Sequence, residues 1–367
     1  MKMQSWQKAL ADSITTAEEL IDAFPSQRWN KSEIRDVIQQ YPMRISPYFL
    51  DVMKRFGAPL REQAVPDPEE LNDTEGMEDP LEEERFSPVT NITHRYPDRV
   101  LFLVSNQCAV YCRFCTRKRK TGKGFPVNRK TIKDAISYIR DNGNIRDVLV
   151  SGGDPLLLED DVLAEILNDL RSIRHVEIIR IGTRVPCTLP QRITRKLGNT
   201  LKKFHPVYVN THFNHPDEIT PEAARACSVL SDSGIPLGCQ TVLLKGINDS
   251  TPIMKTLMQK LISIRVRPYY IHHVDLARGT GHFRTSISAG LKIIETLHGI
   301  TTGMCVPRYV VDLPGGGGKV PLGPESVAGI EKQEILLKNY QGKIFRYRLS
   351  QDDAAALSVN RFPSVEI

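Results

Sequence analysis

The chain is 367 residues long, 40% hydrophobic and 25% charged, the make-up of a globular protein with length for one large core or two modest ones. Net charge is +6 without one long basic tract, so nucleic-acid binding is not demanded, and seven cysteines in so long a chain argue against a disulfide framework. No apolar run reaches membrane-spanning length and MKMQSWQKALADSITTAEELI lacks an apolar signal core, so no membrane or secreted protein is expected, and a cytoplasmic one is.

Residues 1–63 read as short helices, with Ser13 or Thr16 capping AEELIDAF and Ser32 capping EIRDVIQQY. Residues 66–85 carry ten carboxylates and three prolines, which taken alone predict a solvated linker. From Arg99 onward, apolar runs alternate with amphipathic ones. Strands are predicted at 100–105, 147–152, 176–182, 206–212, 237–244 and 267–275, and the stretches between them, such as TIKDAISYI and VLAEILNDLRSI, have helical apolar spacing. After the first interval the strands begin roughly every 30 residues, the length of a βα repeat. That implies a parallel sheet covered by helices; an incomplete barrel and an open doubly wound sheet fit the periodicity equally.

Polar residues follow each predicted strand: Asn106 and Cys108, then Ser151 to Asp154, Thr183 and Arg184, Asn210 and His212, Gln240, and His272 with Asp275. Singly, each reads as a cap or turn residue. Six strands delivering polar groups at the same end is the pattern of a barrel active site.

The sharpest motif is Cys108-Ala-Val-Tyr-Cys112-Arg-Phe-Cys115, a C-x3-C-x2-C directly after the first strand. Three thiolates on one loop can ligate three irons of a 4Fe–4S cluster and leave the fourth open to a small molecule. A zinc site would need a fourth ligand and the usual C-x2-C pairs, which are absent. Cys187, Cys227, Cys239 and Cys305 stand among apolar neighbours and read as buried thiols.

This motif, after the first strand of a βα repeat, resembles the radical S-adenosylmethionine superfamily. That resemblance implies a partial (β/α)6 barrel in an α/β fold, a cluster on Cys108, Cys112 and Cys115, and S-adenosylmethionine at the open iron. Ser151-Gly152-Gly153-Asp154 resembles the glycine-rich element that meets the methionine amino group, and His212 and Gln240 match further S-adenosylmethionine positions, although either suits a core hydrogen bond as well. DPLEEERFSPVTNITHRYPDRVLFL, CAVYCRFCTRKRK, DVLVSGGDPLL, PVYVNTHFNHPDEIT, VRPYYIHHVD and VVDLPGGGGKVP extend the resemblance to the lysine 2,3-aminomutase subfamily over roughly residues 77–325. It also reassigns DPLEEERFSPV from linker to the lead-in of the barrel.

Val311-Asp-Leu-Pro-Gly-Gly-Gly-Gly-Lys319 fails the phosphate-loop pattern, because Val320 follows the lysine. Four glycines instead give a closely packing backbone that can present one amine. In the resembled subfamily this lysine carries pyridoxal 5′-phosphate as a Schiff base. Arg95, Tyr96 and Arg99, an ordinary charged turn by themselves, would then grip its phosphate. The resemblance further implies that Arg117 pairs with the substrate α-carboxylate and that Asp275 and Asp312 hold a lysine ε-ammonium. Each aspartate alone is also a plausible strand-end cap; a pair of carboxylates favours a cation and rejects an acidic side chain.

The resemblance departs in three places. Ser250 stands where longer members have a zinc-binding cysteine, and no cysteine follows Cys305, so structural zinc is not expected. His272 replaces a tyrosine of lysine-acting members, as in shorter relatives that make β-lysine for elongation factor P. Those relatives lack a counterpart to Asp312. The expected activity is radical 1,2-amino migration converting L-lysine to β-lysine, an isomerase reaction. Arginine, ornithine or glutamate as substrate, and a non-catalytic iron–sulfur protein binding nucleic acid through Arg117–Lys123, remain as alternatives. The expected partners are the amino acid substrate and a reductase, flavodoxin or ferredoxin electron donor, with a homo-oligomer and neither nucleic acid nor membrane. The expected regions are 1–98, helical with the acidic lead-in; 99–300, the barrel; and 301–367, carrying Lys319.

Overall fold

A computed structural model describes residues 4–350 except 324, 325, 332 and 340; the last part of the expected C-terminal region, 351–367, lies outside the described residues. Nine strands form one sheet in chain order: β1 (Ile92–Tyr96), β2 (Arg99–Ser105), β3 (Asp147–Gly152), β4 (Ile178–Gly182), β5 (Val207–Thr211), β6 (Leu237–Leu243), β7 (Arg267–His273), β8 (Arg308–Leu313) and β9 (Gly318–Leu322). The six predicted strands are β2 to β7, all parallel, and the sheet continues with β8 as a seventh parallel strand. Antiparallel β1 and β9 form its two edges.

Alternation along each strand explains which side chains face inward. On β3, Asp147, Leu149 and Ser151 line a central cavity while Val148 and Val150 are fully buried on the other face. On β4, Arg180 and Gly182 face the cavity, and Ile179 and Ile181 are buried outside it. Amphipathic helices cover that outer face, among them Arg129–Asp141, Asp160–Arg171, Pro221–Asp232, Thr251–Ser263 and Ile287–Ile300. Residues from both edges, Tyr96 of β1 and Lys319 of β9, line the same cavity, so the sheet curls into an incomplete barrel. The Lys319 backbone N–H donates to the Tyr96 hydroxyl at 3.0 Å, so a side chain spans the seam between the two edges.

The N-terminal helices Ser5–Ala11, Ala17–Ala23, Lys31–Gln40 and Pro47–Phe56 are present. Thr16 caps the second, accepting from the Glu19 N–H at 3.3 Å. Asn30 caps the third in place of Ser32, because Ser32 already lies inside the helix, where its own N–H donates to Asn30 Oδ1 at 3.1 Å. This region grips the cysteine loop: Ile45 forms an antiparallel bridge to Val110, and the Arg44 carbonyl accepts the Tyr111 N–H at 3.0 Å.

The acidic segment is not a solvated linker. Glu70 and Glu83 are 1% and 3% exposed, because each meets buried cations from the stretch after the cysteines. Glu70 pairs with Arg113 at 2.6 Å and Lys118 at 2.5 Å; Glu83 pairs with Arg117 at 2.8 Å. Composition could not show this, since the partners lie dozens of residues away. The boundaries expected at 98 and 300 both fall within the connectivity of the one sheet, β1 preceding the first and β8 and β9 following the second. A separate antiparallel sheet follows: β10 (Val327–Glu331), β11 (Glu334–Lys338) and β12 (Ile344–Arg348).

Candidate active site

One cavity of about 820 Å³ occupies the barrel. Cys108, Cys112, Cys115, Ser151, Gly152, Gly153, Asp154, His212, Gln240, Arg95, Tyr96, Arg99, Arg117, Asp275, Asp312 and Lys319 all line it. Residues scattered over more than two hundred positions meet there because parallel strands end on the same side.

The three cysteines ride the loop after β2. Arg184, at the end of β4, donates from Nη1 to Cys112 Sγ at 2.7 Å. Its Nη2 donates to Gln63 Oε1 at 2.6 Å and pairs with Glu218 at 2.8 Å, while its Nε is buried without a partner. A buried guanidinium beside the loop suits the negative charge of thiolate ligands. Gln63 and Glu218 escaped the sequence reading; no local spacing marks them.

The glycine-rich turn after β3 is shaped by close packing. A Cβ at Gly152 would lie 2.2 Å from the Ser105 carbonyl oxygen, and one at Gly153 would lie 2.4 Å from that of Gln107. Its backbone therefore seals against the base of the cysteine loop, with the Gly153 N–H donating to Ser105 at 2.6 Å and the Asp154 N–H to Gln107 at 2.7 Å. The Asp154 carboxylate accepts from the Thr183 hydroxyl and the Arg184 N–H, each at 2.7 Å, so it organises the β4 end. Burial pushes its carboxyl up to about 6. His212 Nε2 donates to Asn214 Oδ1 at 2.9 Å, and burial pushes its imidazole down to about 3, leaving Nδ1 as an acceptor. Gln240 faces the cavity from β6.

At the other end, Lys319 Nζ donates to Asp312 Oδ2 at 2.6 Å, and His272 Nδ1 lies 3.3 Å from the same oxygen. Burial alone would raise the Asp312 carboxyl, but His272 and Lys319 hold it well below the usual range. Asp275 accepts the Thr116 hydroxyl at 2.5 Å through Oδ2, while its Oδ1 is buried with no partner. Burial and the charge of Asp312 push Asp275 above the usual range. His272 Nε2 is likewise buried without a partner. This end of the cavity therefore has spare acceptors.

Arg95 donates to the Leu81 carbonyl and keeps a buried, unpartnered Nε. Arg99 pairs with Asp98 at 2.9 Å and stands 4.0 Å above the Tyr96 ring. The glycine loop before Lys319 has left-handed backbone at Gly315, Gly316 and Gly318; a Cβ at Gly316 would lie 2.2 Å from the Phe86 ring. Within Arg117–Lys123, the candidate nucleic-acid stretch, Arg117, Lys118, Arg119 and Lys120 pair with Glu83, Glu70, Asp79 and Glu84 respectively, and Lys123 Nζ stands over the Tyr41 ring.

Among the described residues no helix is long and apolar enough to cross a membrane. A family model described as the radical SAM superfamily matches residues 102–256, and one described as lysine-2,3-aminomutase matches residues 294–366. The chain is 55% identical over 322 residues to a protein named L-lysine 2,3-aminomutase from Methanococcus maripaludis, covering 86% of this chain and 74% of that one. It is 49% identical over 348 residues to one of the same name from Clostridium subterminale, covering 93% and 83%. A glutamate 2,3-aminomutase from Clostridioides difficile is 43% identical over 359 residues, covering 97% and 84%. Similarity of this depth along nearly the whole length makes the chain an isomerase that belongs to the lysine 2,3-aminomutase family of radical S-adenosylmethionine enzymes.

Proposed function

We propose that the protein converts L-lysine to β-lysine, with a 4Fe–4S cluster on Cys108, Cys112 and Cys115, S-adenosylmethionine beside it and pyridoxal 5′-phosphate on Lys319. Family membership carries the radical aminomutase chemistry, the cluster and S-adenosylmethionine. Lysine as substrate and the pyridoxal group are the finer part of the reading. The residues fit these groups. Three thiols share one cavity-lining loop next to a buried guanidinium, and the far end combines the Lys319 amine with an Arg95 Nε that has no partner.

The observation that carries the substrate is the acid pair. Asp312 already holds one ammonium, that of Lys319, at 2.6 Å, while Asp275 Oδ1 is buried without a partner. Two buried carboxylates strongly favour a cationic side chain and repel a carboxylate. Once Lys319 nitrogen is engaged elsewhere, Asp312 Oδ2 is released to take the substrate ammonium. Arg117 supplies the opposite charge for the α-carboxylate, so the two ends of a dibasic amino acid are held apart. When bound, the cluster and S-adenosylmethionine supply a hydrogen-abstracting 5′-deoxyadenosyl radical, and the pyridoxal ring stabilises an adjacent unpaired electron. The chain's own work is to orient the substrate between Arg117 and the aspartates, and to exclude water. Cluster reduction requires a small electron-donor protein.

Anaerobic turnover tests this. Reconstituted protein with dithionite, S-adenosylmethionine and pyridoxal phosphate receives lysine, arginine, ornithine or glutamate, and products are separated by chromatography. β-Lysine is the expected main product; turnover of glutamate instead would refute the acid-pair argument.

A further inference from the structure

We infer that Glu83 is a positioning residue for substrate recognition: its buried carboxylate fixes Arg117 in the orientation that meets an α-carboxylate. This rests on the reading of Arg117 as the carboxylate-binding group. Arg117 Nε donates to Glu83 Oε1 at 2.8 Å, and Nη2 lies 2.8 Å from the same oxygen. One edge of the guanidinium is thereby taken by the protein, which leaves the Nη1 side for the cavity that Arg117 lines.

Glu83 is itself buried among cations. It is 3% exposed, and Lys120 and Arg119 stand 3.5 Å and 3.7 Å from its Oε2, which accepts no hydrogen bond. The neighbouring acids repeat the arrangement, with Asp79 on Arg119 at 2.8 Å and Glu84 on Lys120 at 3.0 Å. Burial pushes the Glu83 carboxyl up, but the charge and hydrogen bonds of Arg117 outweigh this and keep it ionised. On the other flank, Thr116 is tied to Asp275 at 2.5 Å. The Thr116–Arg117 dipeptide is thus suspended between Asp275, an acid assigned to the substrate ammonium, and Glu83, a buried acid at the cavity wall. The segment carrying Glu83 also accepts Arg95 on its Leu81 carbonyl and the Gly315 N–H on its Pro80 carbonyl at 3.1 Å. An arginine immobilised before the substrate arrives loses less freedom on binding, which favours affinity over the chemical step.

The test compares parent protein with Glu83→Gln, using the amino acid that the parent turns over and the α-carboxamide of that amino acid as a competitive inhibitor. The KM for the amino acid is expected to rise about tenfold, the scale of weakening one charge-assisted hydrogen bond. The turnover number and the carboxamide inhibition constant are expected to change less than about threefold, since neither depends on pairing a carboxylate. Iron content and melting temperature are recorded alongside. An unchanged KM, or an equal loss of affinity for acid and carboxamide, would overturn the assignment. Should Glu83→Gln fail to fold, Glu83→Asp, which keeps the charge at a shorter reach, carries the same comparison. Because every candidate substrate has an α-carboxylate, failure to make β-lysine would overturn the lysine reading and leave this test intact.

Discussion

Lys319 Nζ and His272 Nδ1 meet on a single oxygen, Asp312 Oδ2, at 2.6 Å and 3.3 Å. The amine that the resemblance assigns to a cofactor thus rests on the acid that it assigns to the substrate. Asp312→Asn keeps the shape and removes the charge. Its KM for lysine should rise roughly ten- to hundredfold, the span of losing a hydrogen bond to a charged group, while the 4Fe–4S absorbance is retained. Lysine kinetics equal to those of the parent would remove Asp312 from substrate recognition.

Lys319→Ala tests the second cofactor. The pyridoxal absorbance of the parent should vanish along with turnover, and iron content should stay at the parent level, since Cys108, Cys112 and Cys115 are untouched. A variant that still held pyridoxal phosphate covalently would place the Schiff base elsewhere.

The seven cysteines should divide cleanly. Replacing Cys108, Cys112 or Cys115 by alanine should abolish the cluster and all turnover. Cys187, Cys227, Cys239 and Cys305 are buried, and alanine at any of them should leave iron content unchanged while costing about 1 kcal/mol or somewhat more for a small cavity. Iron and sulfide analysis separates the two groups. Cluster loss in Cys187→Ala would break the assignment.

The buried Glu70 cluster makes a stability prediction with a sign. Burial raises the Glu70 carboxyl, but the charges of Arg113 and Lys118 outweigh it and leave it below its ordinary 4.5. A depressed carboxylate contributes stability that is present above 4.5 and lost as pH falls through the lower folded value. Melting temperature should therefore fall on acidification below that point. Glu70→Gln strands two buried cations and should cost roughly 3–5 kcal/mol.

At neutral pH the contribution of Lys118 is opposite, a cost rather than a gain. Burial pushes its ammonium down from 10.5 to about 8, so holding it charged costs stability below that pH, and the cost fades as pH rises toward 10.5. Lys118→Met, with Arg113 still pairing Glu70 at 2.6 Å, should be neutral or mildly stabilising at pH 7. A large loss of melting temperature in this variant would show that the lysine, too, is needed to neutralise Glu70.

Most of the parallel core was readable because its strands are nearly continuous apolar runs; β2 to β7 were each foreseen within a few residues, and β8 was not. The edge strands were not. β1, Ile92–Tyr96, is short and rich in polar residues, and β9, Gly318–Leu322, follows glycines and contains Pro321, which an edge strand tolerates because one side needs no partner. The candidate site residues were named by motif, and motif alone cannot say what each one touches. Glu83, Gln63 and Glu218 were missed for the same reason, since a buried polar side chain and a solvated one look alike in sequence.

The sequence by itself determined the alternation of strands and helices, the three-cysteine loop and the lysine after four glycines, because periodicity and spacing are local properties of the chain. Only the tertiary structure decided that the acidic segment is folded over the basic stretch, that the Tyr96 side chain spans the barrel seam to Lys319, and that Lys319, Asp312 and His272 share one oxygen. Most of those relationships join residues tens to hundreds of positions apart, and what decides them is the cost of burying a charge or a polar group without its partner.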